Sequence, residues 1–133
     1  MAFWVGWIAV LAIALSATIP LGFRFRMKRR AAPDSTPIRF HIALGTVTTV
    51  MAFVHALFGL SDLGSSAALG GGFMALMMGG VAFVLIIAHA GIGLQLRDIR
   101  LRDRVRQRRR HVATALAIAA AVIAHVWLLR AGD

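Results

Sequence analysis

Five histidines carry the chemistry this 133-residue sequence offers: His41, His55, His89, His111 and His125. Imidazole binds transition metals, serves as an axial ligand to haem iron and exchanges protons near neutral pH. Four of the five form a pattern. His41 and His55 are fourteen positions apart, and so are His111 and His125. On an α-helix fourteen residues fall about 40° short of four full turns, and a bundle supercoiled to 3.5 residues per turn removes that mismatch. Each pair therefore faces one way, its members separated by about 21 Å along the axis. The sequence contains no cysteine. That excludes disulfides, thiolate metal sites, iron–sulfur centres, thiol enzymes and a c-type haem attachment motif. No residue is assigned a catalytic role.

The elements that must position these histidines are apolar. Hydrophobic residues make up 59% of the chain, against about 45–50% in a soluble domain. Four stretches are long enough to cross a bilayer as helices, roughly residues 2–23, 40–60, 71–96 and 112–129. The expected fold is an all-α integral membrane protein. It is a single domain over residues 1–133, a four-transmembrane-helix bundle running up-down-up-down. Of the 15 basic residues, fourteen lie in segments 24–39 and 97–110, whereas the middle connection, SDLGSSAALGG, carries only Asp62. The positive-inside rule places both basic loops in the cytoplasm and both termini outside, as in a multi-pass protein of the inner membrane. Trp4, Trp7 and Trp127 then fall near the outer interface. The first span has its charges after the apolar run, so it reads as a retained helix and not a cleaved signal. A net charge of +10 is read as topology and contact with anionic lipid headgroups, not as nucleic-acid binding. From Leu94 to Ala131 there is neither Gly nor Pro. One or both of the third and fourth helices are therefore expected to run past the membrane surface, with the turn between them unplaced.

Helices two and four are separated by one span and so run parallel. His41 is then level with His111 on the cytoplasmic side, and His55 with His125 on the outer side. Two facing imidazoles suit axial ligation of one haem iron, whereas tetrahedral zinc or copper would need further ligands nearby. With no Cys the haem is non-covalent. The expectation is two b haems stacked across the membrane, ligated by His41/His111 and His55/His125. Glycine lets a backbone approach a flat ring. Gly45 and Gly59 each follow a ligand by four residues, and Gly79 and Gly93 on the third span are fourteen apart. These glycines serve either haem packing or ordinary helix packing. Gly6 and Gly22, sixteen apart on the first span, fit the repeat less well. Arg39 and Arg110 adjoin the cytoplasmic-side ligands and are candidates for haem propionates. Arg130 is either a propionate partner on the outer side or a snorkelling residue. His89, one turn before Gly93, faces the bundle interior as a polar neighbour of the haem, part of a quinone or proton site, or an alternative ligand.

The spacing resembles the four-helix haem-binding core of cytochrome b from bc1 and b6f complexes, which carries His-x13-His on its second and fourth helices. Glycines fourteen apart on the intervening helices, as at Gly79 and Gly93, are similar too. The resemblance covers the whole chain, as a spacing pattern only. It implies bis-histidine ligation of two b haems and transmembrane electron transfer. The Pro-Glu-Trp-Tyr segment of that family's quinol site is missing from this sequence, and the expected N-terminus lies on the opposite side of the membrane. Quinol oxidation is therefore not carried over. Three functions stand at this point. The first is an electron-transfer protein or cytochrome b subunit, passing electrons between a redox partner protein and/or a quinone across the membrane. The second is a small quinone-linked membrane oxidoreductase acting at a haem edge. The third is a non-redox scaffold or metal permease.

Overall fold

The computed structural model describes residues 1–61, 64, 72–98 and 100–131. Four helices account for nearly all of them: α1 (Ala2–Met27), α2 (Thr36–Ser61), α3 (Gly72–Gln95) and α4 (Arg104–Ala131). Each is long and apolar enough to cross a membrane. Apart from Gly64, the connection between α2 and α3 lies outside the described residues, as do Gly71 and Ile99.

Side-chain contacts give the order of the bundle directly. On α1 and α2, Ala2 meets His55 while Ser16 meets His41, so these helices are antiparallel. On α3 and α4, Ala75 meets His125 while His89 meets Thr114, so these are antiparallel too. Across the bundle His41 faces His111 and His55 faces His125, which makes α2 and α4 parallel. The result is an up-down-up-down four-helix bundle made of two tight hairpins, α1–α2 and α3–α4. The hairpins meet mainly and more sparsely through α2 and α3, where Phe53 lies 6.3 Å from Phe83 between ring centroids.

The buried side chains are small: Ala9, Ala12, Ser16, Thr48, Ala52, Ala75, Ala82 and Ala121, with Ile86 and Ile118 the largest. Large apolar residues such as Phe3, Leu11, Phe53, Val84, Leu116 and Ile123 point outward instead. Small residues inside let helices approach closely, which is how packing is obtained where water supplies no hydrophobic drive between helices.

All four helices differ in length from the apolar stretches, and the difference sits mostly at the basic ends. α1 runs on through Arg24 and Arg26, and α4 begins eight residues before the apolar run, at Arg104. Arginine is a good helix former, so hydropathy marks where a helix is apolar and not where it stops. The turn between α3 and α4 falls at residues 96–103 and is made by aspartates. Asp98 Oδ1 accepts from the Arg100 backbone at 2.8 Å, and Asp103 Oδ1 caps α4 by accepting from Arg106 N at 3.1 Å. Arg104 donates through Nη2 to carbonyls of the turn that follows α3, Leu96 O at 2.7 Å and Asp98 O at 3.1 Å. Gln107 also bonds Gln95 across the same turn.

Arg104 is thus the clasp of the second hairpin. Replacing it with alanine removes both bonds, leaving Asp98 O with the Leu101 N–H alone, and is expected to cost about 1–3 kcal/mol. Hydrogen exchange should localise the loss, with amides at 96–104 exchanging faster while those of α1 and α2 are unchanged.

Candidate functional site

The five histidines occupy half-buried positions inside the bundle, at two levels seen from the helix ends. One level lies near the basic ends of the helices and holds His41, His111 and His89. The other lies near the chain termini and holds His55 and His125. At the basic end the ring centroids of His41 and His111 are 6.1 Å apart with planes at 84°. At the far end those of His55 and His125 are 6.2 Å apart at 76°. A metal–imidazole bond is about 2.0 Å, and a ring nitrogen sits about 1.2 Å from its centroid. Two imidazoles sharing one metal in line therefore have centroids about 6.4 Å apart. Both pairs match that separation. Among the described residues no group of three or more His, Asp or Glu is gathered to hold a metal ion. Each level supplies a pair of facing imidazoles, and a metal held there would bring its remaining ligands with it.

Each ring is fixed by the neighbouring helix. His55 Nδ1 donates to Ala2 O at 2.9 Å, and His125 Nδ1 donates to Ala75 O at 2.7 Å, Ala75 being fully buried. His41 Nδ1 donates to Ser16 O at 2.8 Å, with Ser16 Oγ also 2.9 Å away. The same hydroxyl donates back to His41 O at 3.3 Å. A proton on Nδ1 leaves Nε2 as the free, lone-pair-bearing nitrogen, the arrangement in which histidine ligates metals. His111 is held differently. Its buried Nδ1 has no hydrogen-bond partner, and the ring is stacked under His89 with centroids 3.7 Å apart and planes at 15°. His89 Nδ1 donates to Thr114 Oγ1 at 2.8 Å, and Thr114 donates on to His111 O at 3.0 Å. His89 is therefore a packing neighbour of His111.

Gly6, Gly79 and Gly93 make room for these rings. A Cβ at Gly79 would stand 3.0 Å from the His125 ring, and one at Gly93 3.3 Å from the His111 ring. Gly6 does the same for His55, again at 3.0 Å. A Cβ at Gly45, Gly59 or Gly22 would meet nothing within 4 Å. The arginines stay outside the rings' surroundings. Arg39 is exposed, and Arg110 is exposed with a 3.4 Å contact to Gln107. Arg130 lies over the Trp7 ring, 5.6 Å from its centroid, tying α4 to α1 at the far end.

Ala2, Gly6, Ser16 and Pro20 emerge from the structure, and the sequence does hold a signal for them. Ala2, Gly6, Ser16 and Pro20 recur 73 positions later as Ala75, Gly79, His89 and Gly93, and His41 and His55 recur 70 positions later as His111 and His125. The two hairpins repeat one another. Between the levels, Ile13, Ala52, Phe83, Leu85, Ile86, Ile118 and Val122 form an apolar cluster. Thr48, midway between His41 and His55, is 6% exposed and its hydroxyl has no partner.

No family model, curated protein or solved structure matches the chain. Function is therefore argued from this geometry.

The glycines give a direct check. Gly79→Ala and Gly6→Ala push a methyl group against rings pinned by backbone hydrogen bonds, an overpacking expected to cost about 1–3 kcal/mol. Gly45→Ala and Gly59→Ala meet open space and should be neutral or stabilising by about 0.5–1 kcal/mol. Thermal unfolding of the four variants in detergent should separate them into these two groups.

Proposed function

We propose that the chain is an integral membrane cytochrome that carries electrons across the bilayer through two b haems. His41 and His111 hold one, and His55 and His125 hold the other. The single observation that carries this reading is the pair of imidazole separations, 6.1 and 6.2 Å, on two parallel helices. Each haem, when bound, supplies a one-electron couple at its level. The protein does the rest. Backbone carbonyls of Ala2, Ser16 and Ala75 set the tautomer and orientation of three ligands. Gly6, Gly79 and Gly93 keep the helix backbones close to the rings. A haem held by either pair would take both imidazoles as ligands, which favours relay over catalysis at the metal. An apolar cluster separates the two levels.

The outward-facing Phe, Leu, Val and Ile of all four helices and the four span-length segments support insertion in a membrane. In that setting the basic turns after α1 and α3 lie in the cytoplasm, next to anionic headgroups, and both termini lie outside. A separate redox protein, or a quinone in the bilayer, delivers and removes electrons.

Reduced-minus-oxidised spectra and a haem assay on the purified chain should give two b haems per chain. His41→Ala and His111→Ala should each remove the same haem, and His55→Ala and His125→Ala the other. His89→Ala should retain both. A chain that stays colourless when supplied with haem overturns the proposal. A chain with one haem, lost in His89→Ala, makes His89 a ligand and reassigns the basic-end site.

A further inference from the structure

Three of the four facing histidines rest on backbone carbonyls of a neighbouring helix, and those acceptors are not equal. In an α-helix the carbonyl of residue i already bonds the N–H of residue i+4. For Ala2 the residue four further on is Gly6, and for Ala75 it is Gly79. Both have an N–H, so these carbonyls are shared between their own helix and the imidazole they hold. At Ser16 the residue four further on is Pro20, which lies within α1. Proline has no N–H, and its ring also crowds the carbonyl four residues back. Ser16 O is therefore released from helix bonding and turned aside, and His41 Nδ1 stands 2.8 Å from it. At the matching place in the second hairpin, proline is replaced by Gly93. There the His89 carbonyl keeps its helix bond, and His111 Nδ1 has no partner. The acceptor strengths thus run from undivided at His41, through shared at His55 and His125, to none at His111.

We propose that Pro20 and Ser16 are positioning residues that dedicate one backbone carbonyl to His41 and thereby make it the strongest electron donor among the four ligands. The inference rests on the haem reading above. A strong acceptor at Nδ1 raises the basicity of Nε2 and favours the more positively charged, oxidised metal. The basic-end site is consequently held at a lower potential than it would have with an ordinary helix at position 20. Ser16 Oγ, 2.9 Å from the same Nδ1, adds a second acceptor to the first. The far site has backbone carbonyls alone.

The test is a redox titration of the full haem-loaded chain, followed optically and by low-spin EPR, with the basic-end signals identified as those missing from His41→Ala. Pro20→Ala restores an N–H to Ser16 O and leaves a more regular helix. At the wild-type midpoint of the basic-end site, the ratio of reduced to oxidised form should rise by about 2- to 10-fold, the range of one net hydrogen bond. Its EPR signal should move while that of the far site stays put. Pro20→Gly restores the same N–H without a side chain and should shift the ratio in the same direction. An unchanged basic-end potential in both variants overturns the proposal. Equal shifts at both sites, or loss of the basic-end haem in both variants, also overturn it, because Pro20 would then act only on the general packing of α1. A wild-type chain with no haem overturns the functional reading itself, and this inference with it.

Discussion

A histidine in the interior of this bundle has one nitrogen to spare for a ligand only if the other is committed elsewhere, and in an all-helical apolar chain the available acceptors are main-chain carbonyls. Much of the architecture follows from that constraint. For an imidazole on α2 to reach a carbonyl on α1, the two helices must run close, and the residue beside the contact must lack a side chain. Gly6 and Gly79 meet that need at one level. Ser16 contributes its hydroxyl as well as its carbonyl at the other. The alanines that line the interior, Ala9 and Ala12 on α1 and Ala75 and Ala82 on α3, continue the same small-residue seam. The two close hairpins are the form the chain takes when each of its ligand helices is braced by the helix before it.

The surface obeys the complementary rule. With the interior given over to small and polar side chains, bulky apolar ones face out, the reverse of a soluble bundle, where they would fill the core. The arginines gather beyond the apolar lengths at one end of the bundle. Arg104 closes the second hairpin by bonding the Leu96 and Asp98 carbonyls in the turn that follows α3. Arg130, alone at the opposite end, is engaged with the Trp7 ring.

How far this could be read from sequence depended on whether a feature lies on one helix or between two. The fourteen-residue spacing and the parallel run of α2 and α4 are properties of single helices and their order. They bring His41 to His111 and His55 to His125, as the periodicity predicts. The count and approximate limits of the helices follow from apolar length. The ends do not, because arginine extends a helix that hydropathy cuts short, and the α3–α4 turn is marked by Asp98 and Asp103 instead of Gly or Pro. Contacts between helices were harder to read. Gly45 and Gly59 share a face with their histidines, but the backbone that a ring lies against belongs to the adjacent helix, at a register no spacing on α2 reports. Gly6 pairs at fourteen residues with Pro20 and not with another glycine, so the spacing persists while the residue type changes. The repeat of 73 and 70 positions is the signal that recovers it.

Each hairpin supplies one imidazole to each facing pair, so neither pair is complete until the hairpins come together. The contacts that join them directly are sparse, centred on α2 and α3, whereas each hairpin is internally well packed and stapled by its own histidine–carbonyl bonds. Anything held between the facing rings bridges the two halves by construction, and its binding free energy adds to their docking. The facing rings lie where two preformed arms meet, so a ligand held there would make closure of the arms and its own loading one equilibrium.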